Sequence, residues 1–278
     1  MSASSVPLPP GGTVVLAGCG ALGSRLGLWL LEAGHRVIAV RRNPSGLPSG
    51  FETIAADLAS GDPLPALPAA DSVVITLPPL GGPGAENGAV TAVRTLARAL
   101  PARPGRTVLV SSTRVFDGAP TGAVLSEADA PVPATPRATA LLETEAAAVG
   151  ELGAHVLRPS GIYGPGRDFL VRTVRAGRPV NRSRLTNRIH EDDLVRVLEA
   201  LLRVPAAPAV LHATDAGPAP LGEVADFLAE RLGLPALADT GEGPEGRVFD
   251  GGALASLLGT LSFPDFQAGY AAMVEAKA

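Results

Sequence analysis

Three closely spaced glycines are the residues whose types and spacing point most directly to a particular chemistry. Gly18, Gly20 and Gly23 form the pattern G-x-G-x-x-G between a short apolar run and an amphipathic segment. Glycines let the backbone turn tightly and approach a pyrophosphate, and the helix that follows offers N–H groups with partial positive charge. The pattern predicts a dinucleotide site that includes the backbone of Ala21 and Leu22, and the alternative is an ordinary glycine-rich turn.

The end of the second predicted strand bears on which dinucleotide is bound. NAD sites usually carry Asp or Glu there to accept from the ribose 2′-hydroxyl, whereas this chain has Arg41 and Arg42. Guanidinium groups suit phosphate, so the pair predicts NADP(H) over NAD(H); the alternative is two solvated surface arginines. Asp57 is a candidate for the adenine amino group or else a surface carboxylate. The predicted cofactor-binding set is completed by Leu77, Pro78 and Ser111.

These residues need a scaffold that brings several strand ends to one edge. Apolar runs alternate with segments of helical periodicity, which predicts an α/β fold with a doubly wound, parallel Rossmann sheet. The expected strands are 13–17, 36–40, 51–56, 72–77, 106–111, 154–157 and 210–212, and the expected helices are 22–33, 86–100, 136–150, 191–203 and 221–232. We expect an NAD(P)-binding domain over 11–165 and a small C-terminal substrate-binding lobe over 166–278, with 190–213 returning to the core.

The composition excludes several classes of protein. The chain has 278 residues, 46% of them hydrophobic and 18% charged, which is typical of a globular protein rather than a disordered one. The net charge of −4 gives no reason to expect nucleic acid or an anionic membrane as a partner. Cys19 is the sole cysteine, so no intrachain disulfide can form, and we expect no metal. We expect a cytoplasmic protein whose first ten residues are a flexible leader rather than a signal peptide.

Three further motifs follow the glycine turn in a fixed order. They are Ser-Ser-Thr-Arg-Val-Phe at 111–116, Leu-Arg-Pro-Ser-Gly-Ile-Tyr-Gly-Pro-Gly at 157–166 and Arg-Ile-His-Glu-Asp-Asp-Leu at 188–194. As a set, over residues 13 to 215, they resemble the extended short-chain dehydrogenase/reductase superfamily of the NAD-dependent epimerase/dehydratase type. The resemblance implies hydride exchange between nicotinamide and a carbonyl or hydroxyl carbon of a small molecule. It also implies a homodimer.

This chain lacks the acid–base pair of the family, which is the tyrosine and lysine of a Tyr-x-x-x-Lys motif. The corresponding segment places Arg137 at the tyrosine position and Leu141 at the lysine position. This absence does not depend on the alignment, because Lys277 is the only lysine and neither Tyr163 nor Tyr270 lies four residues before it. The sequence therefore predicts an atypical active site with a non-standard proton donor.

The candidate catalytic residues are Ser112, Arg137 and Tyr163. Ser112 corresponds to the family residue that holds the substrate oxygen; the alternative is a hydroxyl that caps a neighbouring backbone group. Arg137 stays charged and cannot donate a proton, but a guanidinium can stabilise an oxyanion or hold a substrate anion. Tyr163 either lines the substrate cleft or packs beneath its loop. Substrate contacts are predicted for Thr113, Arg158 and Tyr163.

Three functions are compatible with these residues. The first is an NADP(H)-dependent oxidoreductase or epimerase/dehydratase-like enzyme acting on a small carbonyl or hydroxyl compound. The second is a catalytically silent NADP(H)-binding sensor, and the third is a non-redox biosynthetic enzyme on the same fold. The missing dyad favours the second, whereas the intact motif at 158–166 favours an enzyme. Because hydride transfer is chemistry of the cofactor, loss of the dyad does not exclude turnover, and we expect an enzyme.

Overall fold

The computed structural model describes residues 6–78 and 87–276. Within these residues the chain forms thirteen strands, eight α-helices and one 3₁₀ helix at Thr113–Phe116. The strands are β1 (Thr13–Ala17), β2 (Arg36–Arg41), β3 (Glu52–Ala55), β4 (Ser72–Ile75), β5 (Arg106–Val110), β6 (Val124–Leu125), β7 (His155–Pro159), β8 (Gly161–Tyr163), β9 (Leu185–Thr186), β10 (Arg188–His190), β11 (Val210–Ala213), β12 (Ala219–Pro220) and β13 (Val248–Phe249). The helices are α1 (Ala21–Glu32), α2 (Gly88–Ala99), α3 (Pro136–Leu152), α4 (Phe169–Arg175), α5 (Glu191–Arg203), α6 (Leu221–Leu232), α7 (Gly252–Leu258) and α8 (Phe266–Glu275).

Seven strands form one sheet in the order β11-β7-β5-β4-β1-β2-β3. The pairs from β7 to β3 are parallel, and the central strands β1 and β4 are buried along almost their whole length. Strands buried on both faces are continuous apolar runs, which is why the sequence shows no polar alternation here. The strand order reverses between β1 and β4, which confirms the predicted doubly wound Rossmann fold and places the carboxyl end of β1 at its switch point.

The chain divides into two compact units that interleave along the sequence. The first comprises Met1–Gly118, Val132–Arg158 and Leu198–Leu211, and the second comprises Ala119–Pro131, Pro159–Val197 and His212–Ala278. The sequence-based expectation places one boundary after residue 165, with 190–213 returning to the core; of that segment, Leu198–Leu211 belongs to the first unit. The first unit holds most of the large sheet, and its core includes Val15, Ile38, Val73, Leu96 and Leu109.

The second unit contains short strand pairs and several helices around a smaller apolar cluster. Its pairs are β8 with β10, β9 with β12 and β6 with β13. Its cluster includes Tyr163, Val174, Val224, Leu228 and Tyr270. None of the helices in residues 6–78 and 87–276 is long and apolar enough to cross a membrane.

The N-terminal segment differs from the expected flexible leader. Residues 1–5 lie outside the described part of the chain, but from Val6 onward the backbone is attached to the first unit. The N–H of Val6 donates to Gly105 O at 2.8 Å, and the N–H of Leu8 donates to Leu202 O at 2.9 Å. Leu8 is 6% exposed. The expectation of a flexible leader is therefore wrong for residues 6–10, because the side chain of Leu8 is buried and the backbone on either side of it is hydrogen-bonded.

The second predicted helix is shorter than expected. The sequence predicts 86–100, whereas α2 spans Gly88–Ala99; residue 86 lies outside the described residues. Asn87 is the reason for this start, since its side chain accepts from the N–H of Ala89 at 3.1 Å and caps the helix.

Candidate cofactor site

The glycine turn connects β1 to α1 at the switch point of the sheet. Gly18 has φ +77°, in the left-handed region that favours glycine. A Cβ atom on Gly18 would also lie 2.5 Å from the side chain of Leu77, so a side chain is excluded for two separate reasons. The carbonyl of Gly18 accepts from the Thr76 hydroxyl at 2.8 Å, which ties the turn to the end of β4.

The N-terminus of α1 is open to an anion. Its N-cap is Gly20, and among the described residues no side chain caps this helix. The side chains of Asn87, Thr135 and Asp265 cap α2, α3 and α8, whereas α4, α6 and α7 have no side-chain cap within the described part of the chain either. A Cβ on Gly20 would meet no atom closer than Gly18 O at 3.9 Å, so the space over the turn is open. Backbone N–H groups at the positive end of a helix, with no acidic residue in its first turn, fit the oxygens of a pyrophosphate.

Arg41 reaches the glycine turn from the end of β2. Its Nη1 donates to the carbonyl oxygen of Cys19 at 3.1 Å, and the residue is half-buried. Arg42 is exposed. Burial raises the pKa of the Cys19 thiol, against the lowering effects of its hydrogen bond with Ser24 and of the charge on Arg41. The turn therefore has a guanidinium beside it, and the thiol within it is a small packed group rather than a reactive thiolate.

The other predicted cofactor residues follow neighbouring strands of the same sheet. Leu77 and Pro78 follow β4, Ser111 follows β5, and Asp57 lies two residues beyond β3. Carboxyl ends of parallel strands share one edge, so these residues lie along the edge that carries the glycine turn. Asp57 is exposed and its Oδ1 accepts from the N–H of Ala59 at 3.0 Å, which forms a local turn. Its contact with adenine stays a prediction.

A buried network joins β5, α3 and β7 in the first unit. The Ser111 hydroxyl lies 2.5 Å from Oε1 of Glu145, and Arg158 donates to both oxygens of Glu145, at 3.1 Å from Nε and 2.7 Å from Nη2. Arg158 and Glu145 are each 6% exposed, and the guanidinium lies 5.5 Å from the ring centre of Phe116. This ion pair accounts for Arg158 without a substrate, which favours a structural role over the predicted substrate contact. Sequence reasoning missed Glu145, although an acidic residue four positions after buried Leu141 marks the inner face of α3.

The positions that correspond to the family dyad carry no acid–base pair. Arg137 is exposed on the first turn of α3, and Leu141 is buried on the same helix. Ser112 is the N-cap of the 3₁₀ helix, where its Oγ accepts from the N–H of Arg114 at 3.2 Å, and Thr113 begins that helix; both are half-buried. Ser112 therefore caps a neighbouring backbone group, as the alternative interpretation predicts. Its hydroxyl acts as an acceptor in this contact, so the hydroxyl proton is not used there.

Tyr163 is a core residue of the second unit. It is 3% exposed, its hydroxyl donates to Asp265 O at 3.3 Å, and its ring packs 4.7 Å from Tyr270 and 5.2 Å from His190, centre to centre. Burial raises the pKa of the phenol, and the negative charge of Asp215 adds to that effect. A phenol that ionises less readily than in water is a poor proton-transfer group at neutral pH. The geometry thus favours packing over the predicted catalytic and substrate-binding roles.

Asp215 is a buried carboxyl group that the sequence analysis missed. It is 1% exposed, its Oδ1 accepts from the N–H of Gly217 at 3.1 Å, and Oδ2 has no hydrogen-bond partner in the described part of the chain. Burial raises its pKa to about 7; Arg188 opposes this, and Asp265 and Asp193 reinforce it. The carboxyl group is surrounded by ionisable side chains of the second unit: Arg188, Asp193, Asp265, Tyr163 and Tyr270.

Replacing Asp215 by asparagine is expected to change how stability depends on pH. The pKa of Asp215 is about 7 in the folded state against an ordinary value of 3.8, so the folded state holds the proton to higher pH. Stability from this group is fully present below the unfolded pKa and is lost as pH rises toward 7. Relative to Asp215→Asn, the wild type should lose about 2 kcal/mol of unfolding free energy between pH 5 and pH 7. Urea unfolding at several pH values measures this, with exposed Asp62→Asn as the control. Parallel pH curves for wild type and Asp215→Asn would contradict it.

Comparisons with known proteins agree with the geometry. No family model matches the chain, and no curated protein matches it. A solved protein from Methylobacillus flagellatus, provisionally assigned as an NAD-dependent epimerase/dehydratase, is 29% identical and covers 96% of this chain and 99% of its own, with a TM-score of 0.79. A conserved protein of unknown function from Silicibacter pomeroyi DSS is 25% identical, with the same coverage and TM-score. MoeE5, solved with UDP-glucose and NAD, is 28% identical and covers 96% of this chain and 98% of its own, with a TM-score of 0.74.

These structures define the class of protein. The chain has the fold of the extended short-chain dehydrogenase/reductase superfamily, and its structural neighbours include the protein provisionally assigned as an NAD-dependent epimerase/dehydratase. The resemblance stated from the motifs is therefore confirmed, although Tyr-x-x-x-Lys is absent from the sequence. In residues 6–78 and 87–276 there is no group of three or more His, Cys, Asp and Glu side chains placed to hold a metal ion.

Proposed function

We propose that this chain is an NAD(P)-binding protein of the epimerase/dehydratase type that binds the dinucleotide at the turn between β1 and α1. The observation that carries the proposal is the uncapped N-terminus of α1, with Gly20 facing open space and Gly18 in a conformation that requires glycine. The binding of NAD by MoeE5, which is 28% identical to this chain, supports it. A bound nicotinamide would supply or accept a hydride there.

The preferred dinucleotide in this proposal is NADP(H). Arg41 is held beside the turn by its hydrogen bond to Cys19 O, and Arg42 adds a second positive charge at the end of β2. The end of β2 carries no carboxylate, which is the group that accepts from the ribose 2′-hydroxyl in a typical NAD site. Since MoeE5 was solved with NAD, the preference rests on these two arginines.

Removing both arginines is expected to weaken NADPH binding and to leave NADH binding unchanged. Each charge-assisted hydrogen bond to a phosphate contributes about 1.5 kcal/mol, so the Arg41→Ala, Arg42→Ala variant should bind NADPH roughly tenfold more weakly or worse. Fluorescence titration with both nucleotides measures this. The matched control removes two exposed arginines of α2, Arg94→Ala with Arg98→Ala, and should bind both nucleotides normally. Equal NADPH affinity before and after the double change would exclude the 2′-phosphate assignment.

We further propose that the protein is an enzyme acting on a small carbonyl or hydroxyl compound. Ser112 still offers a hydroxyl proton at the end of β5, and Arg137 offers an exposed positive charge on α3. A second candidate, a nucleotide-binding sensor without turnover, is favoured by a separate observation. At the dyad positions, exposed Arg137 and buried Leu141 provide no group that can transfer a proton at neutral pH.

One experiment separates these candidates. NADPH and NADH are titrated by fluorescence, and nicotinamide absorbance is then followed with aldehydes, ketones and nucleotide sugars, the last because MoeE5 was solved with UDP-glucose. Oxidation or reduction of the nucleotide by any of them identifies an enzyme. Epimerisation and dehydration return the nucleotide to its starting redox state, so each compound is also analysed by chromatography for conversion. Nucleotide binding with neither an absorbance change nor conversion moves the proposal to the sensor, and failure to bind either nucleotide overturns it. A small-molecule substrate, a homodimer and a cytoplasmic location stay predictions.

A further inference from the structure

The Ser111 hydroxyl has a fixed hydrogen-bond polarity. An arginine side chain has donors only, and Arg158 donates to both oxygens of Glu145. Oε1 of Glu145 is also the atom that lies 2.5 Å from Ser111 Oγ. Glu145 is the acceptor throughout this network, so the proton in the short contact belongs to Ser111. A hydroxyl has one proton and two lone pairs, and therefore Ser111 can only accept from any further partner.

Ser111 lies on the side of the glycine turn that a nicotinamide would occupy. The sheet order places β2 and β3 on one side of β1, with Arg41 and Asp57 at their ends, and β4 and β5 on the other. A dinucleotide lies across the switch point, so an adenosine half beside Arg41 directs the nicotinamide half toward β4 and β5. Ser111 follows β5 directly, is half-buried, and is anchored by its N–H to Leu157 O at 2.7 Å.

We propose that Glu145 and Arg158 are positioning residues that fix Ser111 as a hydrogen-bond acceptor for a donor group on the nicotinamide half of the dinucleotide. The inference rests on the proposed dinucleotide site. The donor is either the carboxamide N–H₂ or a hydroxyl of the adjoining ribose. The neighbouring hydroxyl differs, because Ser112 accepts from the N–H of Arg114 and can still donate its own proton. The two serines would therefore form hydrogen bonds with different groups of the ligand.

Removing the Ser111 hydroxyl tests the first step. We expect Ser111→Ala to bind NADPH about fivefold more weakly, the effect of one neutral hydrogen bond. Ser72→Ala is the control, since it removes the same hydroxyl group from a fully buried serine of the first unit that begins β4, at the opposite edge of the sheet. It should bind NADPH like wild type. Unchanged NADPH binding by Ser111→Ala would overturn the inference about Ser111 and leave the proposed dinucleotide site intact. Failure of the wild type to bind either nucleotide would overturn the proposed site itself.

An analogue distinguishes the two donors. The reduced 3-acetylpyridine analogue of NADPH carries a methyl group in place of the carboxamide nitrogen, so it lacks that donor and keeps the ribose. If Ser111 accepts from the carboxamide, wild type and Ser111→Ala should bind the analogue equally. If it accepts from the ribose, Ser111→Ala should bind the analogue about fivefold more weakly, as it does NADPH.

A double-variant comparison tests whether Glu145 acts through Ser111. The amide of Glu145→Gln can donate to Ser111 and turn its proton outward, toward the ligand donor. We expect this substitution to weaken NADPH binding several-fold in the wild type and to have no further effect in the Ser111→Ala protein. Equal weakening in both backgrounds would show a purely structural role and overturn the inference. Should Glu145→Gln not fold, Arg158→Lys is compared in the same two backgrounds, because it keeps the charge and removes the two-point contact.

Discussion

Replacing Gly20 by valine is expected to abolish tight dinucleotide binding while the protein stays folded. Gly20 has φ −95°, which any L-residue can adopt, and a Cβ there would lie 3.9 Å from the nearest atom outside its immediate neighbours. The branched side chain would fill the open space over the turn and keep the pyrophosphate away from the first turn of α1. Losing two backbone hydrogen bonds to charged oxygens, each about 1.5 kcal/mol, weakens NADPH binding on the order of 100-fold.

A second glycine serves as the control for this substitution. Gly150 lies within α3, where an added Cβ would meet nothing within 4 Å. Gly150→Ala should leave NADPH affinity unchanged and raise stability by roughly 0.5–1 kcal/mol, because alanine favours helix. Fluorescence titration and urea unfolding of both variants give the comparison. NADPH binding by Gly20→Val with wild-type affinity would place the nucleotide elsewhere.

The parts of the fold that sequence predicts well are those that local patterns determine. The strand 13–17 and the helices 191–203 and 221–232 were predicted with the bounds that the structure has, because apolar runs and helical periodicity extend over their full length. The glycine turn was predictable for the same reason, since its meaning depends only on the strand before it and the helix after it. The short elements β8 and α4 were not, because a three-residue strand gives no continuous apolar run and seven residues are too few for a helical period to show.

The parts of the site that sequence missed depend on contacts between distant residues. Glu145 looks like one more charged residue of a helix until Arg158, thirteen residues on, is seen to be buried with it. Asp215 follows a strand with no motif around it, and its pKa is raised mainly by burial. Tyr163 stands in a motif that suggests a cleft, yet the second unit packs it among Tyr270 and His190. Burial is a tertiary property, and composition does not reveal it.

Replacing Glu145 by alanine is expected to cause the largest loss of stability. The substitution leaves the guanidinium of Arg158 buried, 6% exposed, without the carboxylate that accepts two of its hydrogen bonds. Breaking a buried ion pair by removing one partner lowers the free energy of unfolding by about 3–5 kcal/mol, since an uncompensated charge remains in a medium that solvates it poorly. Urea unfolding measures the change, provided that the slope of the transition matches wild type.

Two comparisons test whether the loss of stability comes from the unpaired buried charge of Arg158. Replacing both partners, Glu145→Leu with Arg158→Met, removes the charge together with its counter-ion and should recover most of the stability, because well-packed apolar side chains substitute for a buried pair at little net cost. Glu52→Ala breaks the exposed pair between Arg36 and Glu52, whose side chains are 46% and 54% exposed, and should change stability far less. If Glu145→Ala were no more destabilising than Glu52→Ala, the ion pair would not be what holds β7 against α3. The recovered double variant should still bind NADPH more weakly than wild type, because nothing then directs the Ser111 hydroxyl.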